Sequence, residues 1–277
     1  MDGRISEFTG RRARFHYHLL MGLYRFAVNR WLYGIFCRFL ARRFAAGDAV
    51  TIDLGQGRLF KIHLDDTYWT RFVLFHKDYE PEVRQIMDAA AGHTDLFCDL
   101  GANKGLWSVY GSTLFRRIDA VEASEDTFRY LEENTHNIPN VLRHRAAIYE
   151  KSGEQMAFVN TYQSHASARL SPLGDSGDLD RTEFVTTLSV DDLVPKGVPA
   201  LIKLDVEGAE TEAIDGAARA LSDGSVLIYE DHGSDAASTN SSHLLKVGNI
   251  KLYSMEKQLI EITDLDVIRD LKADRYK

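Results

Sequence analysis

The chain reads as an α/β protein built on an open, doubly wound, largely parallel sheet. Three features say so. Leu96-Phe97-Cys98-Asp99-Leu100 is a short apolar run ending at Gly101, as a strand buried on both faces should be. Leu106, Trp107, Val109, Tyr110 and Leu114 then recur at helical spacing, and strands and helices go on alternating to about Thr263. Between the first strand and its helix stand Gly101 and Gly105, so a ligand can approach bare backbone amides at a helix N-terminus.

The spacing of that turn separates two kinds of nucleotide ligand. A dinucleotide site wants Gly-x-Gly-x-x-Gly, which from Gly101 would require glycine at Asn103 and at Leu106. Asp99-x-Gly101-x-Asn103-x-Gly105 suits instead a ligand with an amino acid and a nucleoside but no pyrophosphate. Asp99 would repel a diphosphate. The next strand ends in Ala120-Val121-Glu122, a carboxylate about twenty residues beyond the glycines, where a ribose diol can be held. S-adenosylmethionine meets these demands, with Asp99, Gly101, Asn103, Gly105 and Glu122 around it. The plain alternative is a tight structural turn without a ligand.

Phe97-Cys-Asp-Leu-Gly-Ala-Asn-Lys-Gly105, Ala120-Val-Glu-Ala123 and above all Ile202-Lys-Leu-Asp-Val-Glu-Gly-Ala-Glu210 resemble the FkbM-type family of class I methyltransferases. The resemblance runs from about Thr94 to Thr263. It implies a Rossmann-like sheet closed by an antiparallel C-terminal strand pair, S-adenosylmethionine as methyl donor, and a hydroxyl acceptor on a saccharide, glycolipid or secondary metabolite. It also implies that Ala146 and Ala147 line the adenine, close packing being the alternative. Lys104 and Trp107 replace the family's usual Ile and smaller aromatic.

At 277 residues the chain has material for one large domain with an extension. Its two cysteines, Cys37 and Cys98, exclude a disulfide framework and point to a reducing, cytoplasmic setting, with no secretory signal visible. Residues 1–46 hold nine arginines against Asp2 and Glu7, a net +7, so with −8 overall the remainder carries −15. A body that acidic argues against a nucleic-acid partner.

Three segments are expected: a basic amphipathic helical segment over 1–46, a hairpin-and-helix lid over 47–92, and the catalytic domain over 93–277. Residues 11–46 lack proline and interleave arginine with Phe, Trp and Leu, predicting one long helix or two broken near Asn29. Arg25, Arg30 and Arg38 interrupt the apolar run below the ~20 residues of a membrane span. Such a segment can lie in an anionic membrane surface, placing the protein peripherally at the inner membrane, or pack on the body or a second subunit. Val50–Leu54 and Leu59–His63 alternate around Gly55-Gln-Gly57 as a hairpin, and Pro81 opens a helix to about Ala91. Tyr68 and Trp69 are candidates to stack on a sugar, against the commoner fate of core aromatics.

Ile118–Glu122 is the second strand, Glu125–Thr135 its helix and Val141–Ile148 the third strand. Gly153 turns a hairpin into Gln155–Asn160, and a polar loop over Thr161–Asp180 follows, with His165 and Arg169 as candidate acceptor contacts. Thr182–Leu188 is a strand, Ser189 caps a short helix, Ala200–Leu204 is the fourth core strand, and a helix is expected from Glu207 to Leu221. Ser225–Tyr229 follows, and Ile250–Met255 with Gln258–Thr263 form the closing pair.

An alcohol does not ionise unaided near neutrality, so methyl transfer to one needs a base or a metal. Asp205, also counted among the cofactor residues, and Glu230 with His232 stand at neighbouring strand ends. His232 as base, oriented by Asp205 or Glu230, is one arrangement. Asp205 with Glu230 or Asp231 holding magnesium is the other, and the histidine is preferred because no metal-specific spacing is present. Glu207 is a further acceptor candidate. The alternative for Asp205 is a helix cap.

Overall fold

The structure is a computed structural model. It describes residues 4–26, 47–66, 68–70, 79–159, 169–172, 182–206, 208–231, 235, 237–247, 250–255 and 259–275, and it divides into two compact units, Met1–Arg84 and Gln85–Lys277.

In the first unit, β1 (Arg4–Phe8) precedes helix α1 (Arg11–Phe26), and a hairpin follows from β2 (Ala49–Asp53) to β3 (Leu59–His63). The three strands form an antiparallel sheet in the order β1-β2-β3. Strand β1 was not expected, because a five-residue run so close to the N-terminus has too little pattern to stand out. Residues 4–26 thus share one unit with the hairpin. Ala13, His16, Tyr17 and Leu20 form the buried stripe of α1, at the spacing of one helical face. Asp48 ties the helix down: its carboxylate receives Arg12 Nε at 3.0 Å and lies 2.6 Å from Nδ1 of the buried His16. Gly55, Gln56 and Gly57 all have positive φ, as the tight hairpin turn demands.

In the second unit, α2 (Pro81–Ala90), which straddles the division, leads to β4 (Leu96–Leu100), α3 (Leu106–Gly111), β5 (Arg117–Glu122), α4 (Glu125–Thr135) and β6 (Val141–Arg145). Then come β7 (Ala147–Ile148), β8 (Gln155–Val159), β9 (Arg169–Pro172), β10 (Thr182–Leu188) and α5 (Val190–Leu193). The chain returns through β11 (Ala200–Leu204), α6 (Glu210–Asp215), α7 (Ala218–Ser222) and β12 (Val226–Tyr229). It ends with α8 (Thr239–Val247), the pair β13 (Leu252–Ser254) and β14 (Ile260–Ile262), and α9 (Leu265–Arg275).

Five strands in the order β12-β11-β4-β5-β6 make the expected parallel sheet. The chain builds outward from β4 through β5 and β6, then crosses back to lay β11 on the other side. The reversal falls between β4 and β11, and ligand crevices of such sheets open there, beyond the carboxyl ends. Both central strands are buried along their whole length. One face of the sheet carries a core of Leu96, Cys98, Leu100, Ile202 and Leu204 packed with Ala213, Ile214, Ala217 and Leu244. The C-terminal pair is present as a two-stranded sheet of its own.

Four expectations about elements are corrected. The third strand stops at Arg145, because the Ala146 amide turns to the Glu122 carbonyl at 3.2 Å and Ala147–Ile148 pairs instead with β10. The stretch expected to be loop over 161–180 contains β9, which joins a second sheet in the order β7-β10-β8-β9. The helix after Gly105 ends at Gly111 rather than Leu114. The helix expected over 207–221 is two short helices. Gly216 ends the first where a Cβ would lie 2.4 Å from the Tyr149 carbonyl oxygen, and Asp191 caps the second by accepting the Arg219 and Ala220 amides at 3.0 and 2.8 Å. No helix among the described residues is long and apolar enough to cross a membrane.

Candidate functional site

The turn after β4 is shaped by residues that leave the ordinary backbone regions together. Gly101 has φ +76°, Asn103 φ +52° and Gly105 φ +85°. The Gly101 and Ala102 amides both point back to the Val121 carbonyl, at 3.0 and 2.8 Å, which locks the turn against the end of β5. A Cβ on Gly101 would sit 1.9 Å from the carbonyl oxygen of Asp205, so glycine is required by the crossing of two backbones. On sequence grounds the space kept free at Gly101 would belong to the ligand's amino-acid part. The structure gives it first to Asp205.

Glu122 stands at the end of β5, facing this turn. Its Oε2 accepts the Asn103 amide at 2.9 Å and its Oε1 accepts the Ser124 amide at 3.0 Å. A carboxylate accepts through both oxygens, so Glu122 is an acceptor suited to a vicinal diol that the protein already holds in place. Ala146, which is buried, follows β6 and donates its amide to the Glu122 carbonyl, and Ala147, also buried, opens β7.

Asp99 is fully buried near the carboxyl end of β4. Ser108, from the first turns of α3, donates to its Oδ2 at 2.6 Å. Oδ1 has no hydrogen-bond partner among the described residues. Burial pushes the Asp99 carboxyl above its ordinary range, and the charge of Lys203 and the Ser108 hydroxyl oppose that rise. A buried carboxylate oxygen without a donor is expensive, and a ligand cation or donor at this place would relieve it.

Lys203 is the residue that sequence reasoning missed. It is paired in register with Asp99 across the β4–β11 ladder and is 5% exposed. Its Nζ donates to Asp205 Oδ2 at 2.8 Å. A charge inside the otherwise apolar run Ala200-Leu-Ile-Lys-Leu204 was the available signal. Asp205 itself is exposed beyond β11 and does not cap the next helix, whose N-cap is Ala209.

Leu204 and Tyr229 are paired across β11 and β12, so Asp205 and Glu230 each lie one residue past the ends of neighbouring strands. Asp231 is engaged elsewhere. It accepts Lys272 Nζ of α9 at 2.9 Å and a short hydrogen bond from Ser241, whose hydroxyl also lies 2.8 Å from the Tyr229 hydroxyl. Among the described residues no group of three or more His, Cys, Asp and Glu is arranged to hold a metal. Asp231 is thus held by a lysine, which leaves Asp205 with Glu230 as the carboxylate pair of the magnesium arrangement.

Of the acceptor candidates, His165 and Glu207 lie outside the described residues, as does the candidate base His232, and Arg169 is described as backbone of β9. Trp69 packs among aromatic side chains. It is 5% exposed in the first unit, with the rings of Phe60, Tyr68 and Tyr79 at 5.3–5.7 Å. Tyr68 belongs to the same aromatic group, its hydroxyl 3.4 Å from that of Tyr79.

Among known proteins, one curated relative is the hexuronic acid methyltransferase AglP of Haloferax volcanii, 28% identical over 201 residues that cover 71% of this chain and 77% of that one. Two solved structures overlap more loosely. A methyltransferase FkbM from Methylobacillus flagellatus is 17% identical at TM-score 0.39, covering 79% of this chain and 53% of that one. The precorrin-6y C5,15-methyltransferase of Geobacter metallireducens is 16% identical at TM-score 0.39, covering 65% and 81%. The decisive match is the methyltransferase FkbM domain model, which spans residues 99–251, more than half of the chain, and includes Asp99, the glycine turn, Glu122, Lys203 and Asp205. The chain belongs to the FkbM methyltransferase family.

Proposed function

We propose that the protein transfers the methyl group of S-adenosylmethionine to a hydroxyl of a sugar. The observation that carries this reading is the pairing of an orphaned carboxylate oxygen with a clasped one. Asp99 Oδ1 lies buried without a donor beneath the glycine turn, and Glu122 is pinned across that turn by the Asn103 and Ser124 amides. An ammonium group at Asp99 and a ribose diol at Glu122 are the two polar ends of S-adenosylmethionine, so the residues fit the group. When bound it supplies a methyl carbon activated by the sulfonium.

The protein's part is to bind, orient and remove one proton. Gly101, Asn103 and Gly105 shape the turn, while Ala146 and Ala147 leave flat space for the adenine. The acceptor hydroxyl is placed beyond β11 and β12, within reach of Asp205 and Glu230. Asp205 is ion-paired with Lys203. His232 takes the proton in this reading, with Asp205 or Glu230 orienting its ring. The relative that acts on a hexuronic acid supports a sugar of that kind as acceptor.

The test uses radiolabelled S-adenosylmethionine and a panel of glycans with and without hexuronic acid. Label should enter a uronate-bearing acceptor at a hydroxyl, survive EDTA, and fall by about two orders of magnitude or more in His232→Ala with S-adenosylhomocysteine binding intact. Loss in EDTA restored by magnesium would replace the histidine base with a metal. Absence of S-adenosylhomocysteine binding to the wild-type protein would end the reading.

We also propose that α1 meets an anionic membrane surface. Arg11, Arg14 and Phe15 are exposed on the side away from its buried stripe, Phe15 by 64%. Arginines beside an exposed aromatic are the composition of an interfacial helix.

A further inference from the structure

Lys203 is out of place by the ordinary rules of a central strand. Its neighbours Leu201, Ile202 and Leu204 are buried apolar residues, and a lysine in such a position costs desolvation unless its charge is used. If it served as a simple tie, one carboxylate would be enough. Lys203 instead stands against two, which come from the two strands flanking the reversal of the sheet. Asp205 Oδ2 is 2.8 Å from Nζ, and Asp99 is its register partner on β4. Those two carboxylates lie on the donor side and the acceptor side of the proposed reaction.

We propose that Lys203 is a positioning residue that couples the two halves of the site, holding Asp99 as a carboxylate beneath the glycine turn while fixing Asp205 at the mouth of β11. This rests on the reading of the turn as an S-adenosylmethionine seat. The charge balance is simple. With Lys203 present, two carboxylates and one ammonium leave a net −1, which matches a ligand ammonium arriving at Asp99 Oδ1. With Lys203 removed, Asp99 is buried beside a second carboxylate and takes up a proton from solvent. The neutral acid then offers the ligand no charge, while Asp205 loses its tether. The groups facing Asp99 are Ser108 from α3, Lys203 from β11 and Asp205 just beyond it.

The experiment compares wild type, Lys203→Met and Lys203→Arg by calorimetric titration with S-adenosylhomocysteine from about pH 6 to about pH 9. Lys203→Arg should bind within about threefold of wild type. Lys203→Met should bind at least about tenfold more weakly at the acid end and recover as the pH rises and Asp99 gives up its proton. A second measurement needs no ligand: the carboxyl carbon of Asp99, assigned by its loss in Asp99→Asn, is followed by NMR. In Lys203→Met its titration should move to higher pH than in wild type, and in Lys203→Arg it should not. If Lys203→Met is poorly stable, adding Asp99→Asn should restore stability, since the neutral side chain no longer needs the lysine. Equal loss of binding at every pH in both variants, with an unmoved Asp99 titration, would reduce Lys203 to a packing element and overturn the proposal. Failure of wild type to bind S-adenosylhomocysteine would strike the proposed function alone, because the ligand-free titration still reports the coupling.

Discussion

The backbone amide of Asn103 donates to the side chain of Glu122 over 2.9 Å, and so the residue suited to a ribose diol also fastens the glycine turn. Removing that carboxylate acts twice. In Glu122→Ala the Asn103 and Ser124 amides lose their acceptor, at about 1–3 kcal/mol for each that stays buried. The proposed diol contacts go as well, at about 1.5–3 kcal/mol, or about 10–150-fold in Kd. Calorimetry with S-adenosylhomocysteine and thermal unfolding should therefore both register the change. Unchanged affinity would remove the ribose assignment.

Gly101 and Gly105 should part company when each is changed to alanine. At Gly101 the new Cβ meets the Asp205 carbonyl at 1.9 Å, and backbone cannot give way cheaply. At Gly105 it meets Leu131 Cδ1 at 2.7 Å, the far end of a side chain that can rotate. Both also carry the cost of positive φ, about 1 kcal/mol. Gly101→Ala should unfold or lose several kcal/mol by chemical denaturation, and Gly105→Ala about 1–2 kcal/mol. Equal losses would mean that the crossing of β4 and β11 ends is looser than the structure shows.

Asp99→Asn should trade function for stability. Burial raises the proton affinity of Asp99 in the folded chain above its ordinary value of 3.8. The folded protein thus holds that proton more tightly than the unfolded chain does. The group favours folding most below that ordinary value and loses this contribution as pH rises through its folded value. The asparagine variant escapes that loss. Its melting temperature relative to wild type should climb with pH above the acid range, while S-adenosylhomocysteine affinity falls. A constant difference across pH would show that Asp99 is not held as a strained carboxylate.

The membrane proposal is better tested on the surface of α1 than by deleting residues 1–46. Deletion would remove β1 from its sheet and expose the face that Ala13, His16, Tyr17 and Leu20 cover. Arg11→Glu, Arg14→Glu and Phe15→Ser change exposed positions instead. The triple variant should lose flotation with anionic vesicles and keep its melting temperature. Wild-type binding should weaken as salt rises. A change in oligomeric mass with no vesicle binding would identify the helix as an assembly element.

The parts of the fold legible in sequence were those where one physical rule dominates. Leu96–Leu100 and Ala200–Leu204 are buried on both faces, so their apolar runs announced a parallel sheet. Positive φ at Gly101 and Gly105 could be read because glycine is the residue that takes it freely. Strand β9 could not be read, because its pairing with β8 is decided by partners distant in sequence. The break at Gly216 was equally hidden, since the Tyr149 carbonyl that forbids a side chain there comes from another element. Lys203 was visible as an anomaly, a charge in an apolar strand, but its two partners come from register and from the chain's turn past Leu204.

The hydrogen bonds made by Lys272 carry a practical lesson. Besides Asp231, its Nζ donates to the Asp235 carbonyl and to the Ser238 hydroxyl, each at 2.8 Å, so α9 is stitched to the chain on both sides of His232. A truncation ahead of Lys272 would spare every strand among the described residues and still cut that stitching. On the proposed reading, a version shortened ahead of Lys272 keeps the glycine turn but loses the hold on the chain beside His232, so kinetic work belongs on a chain that retains α9.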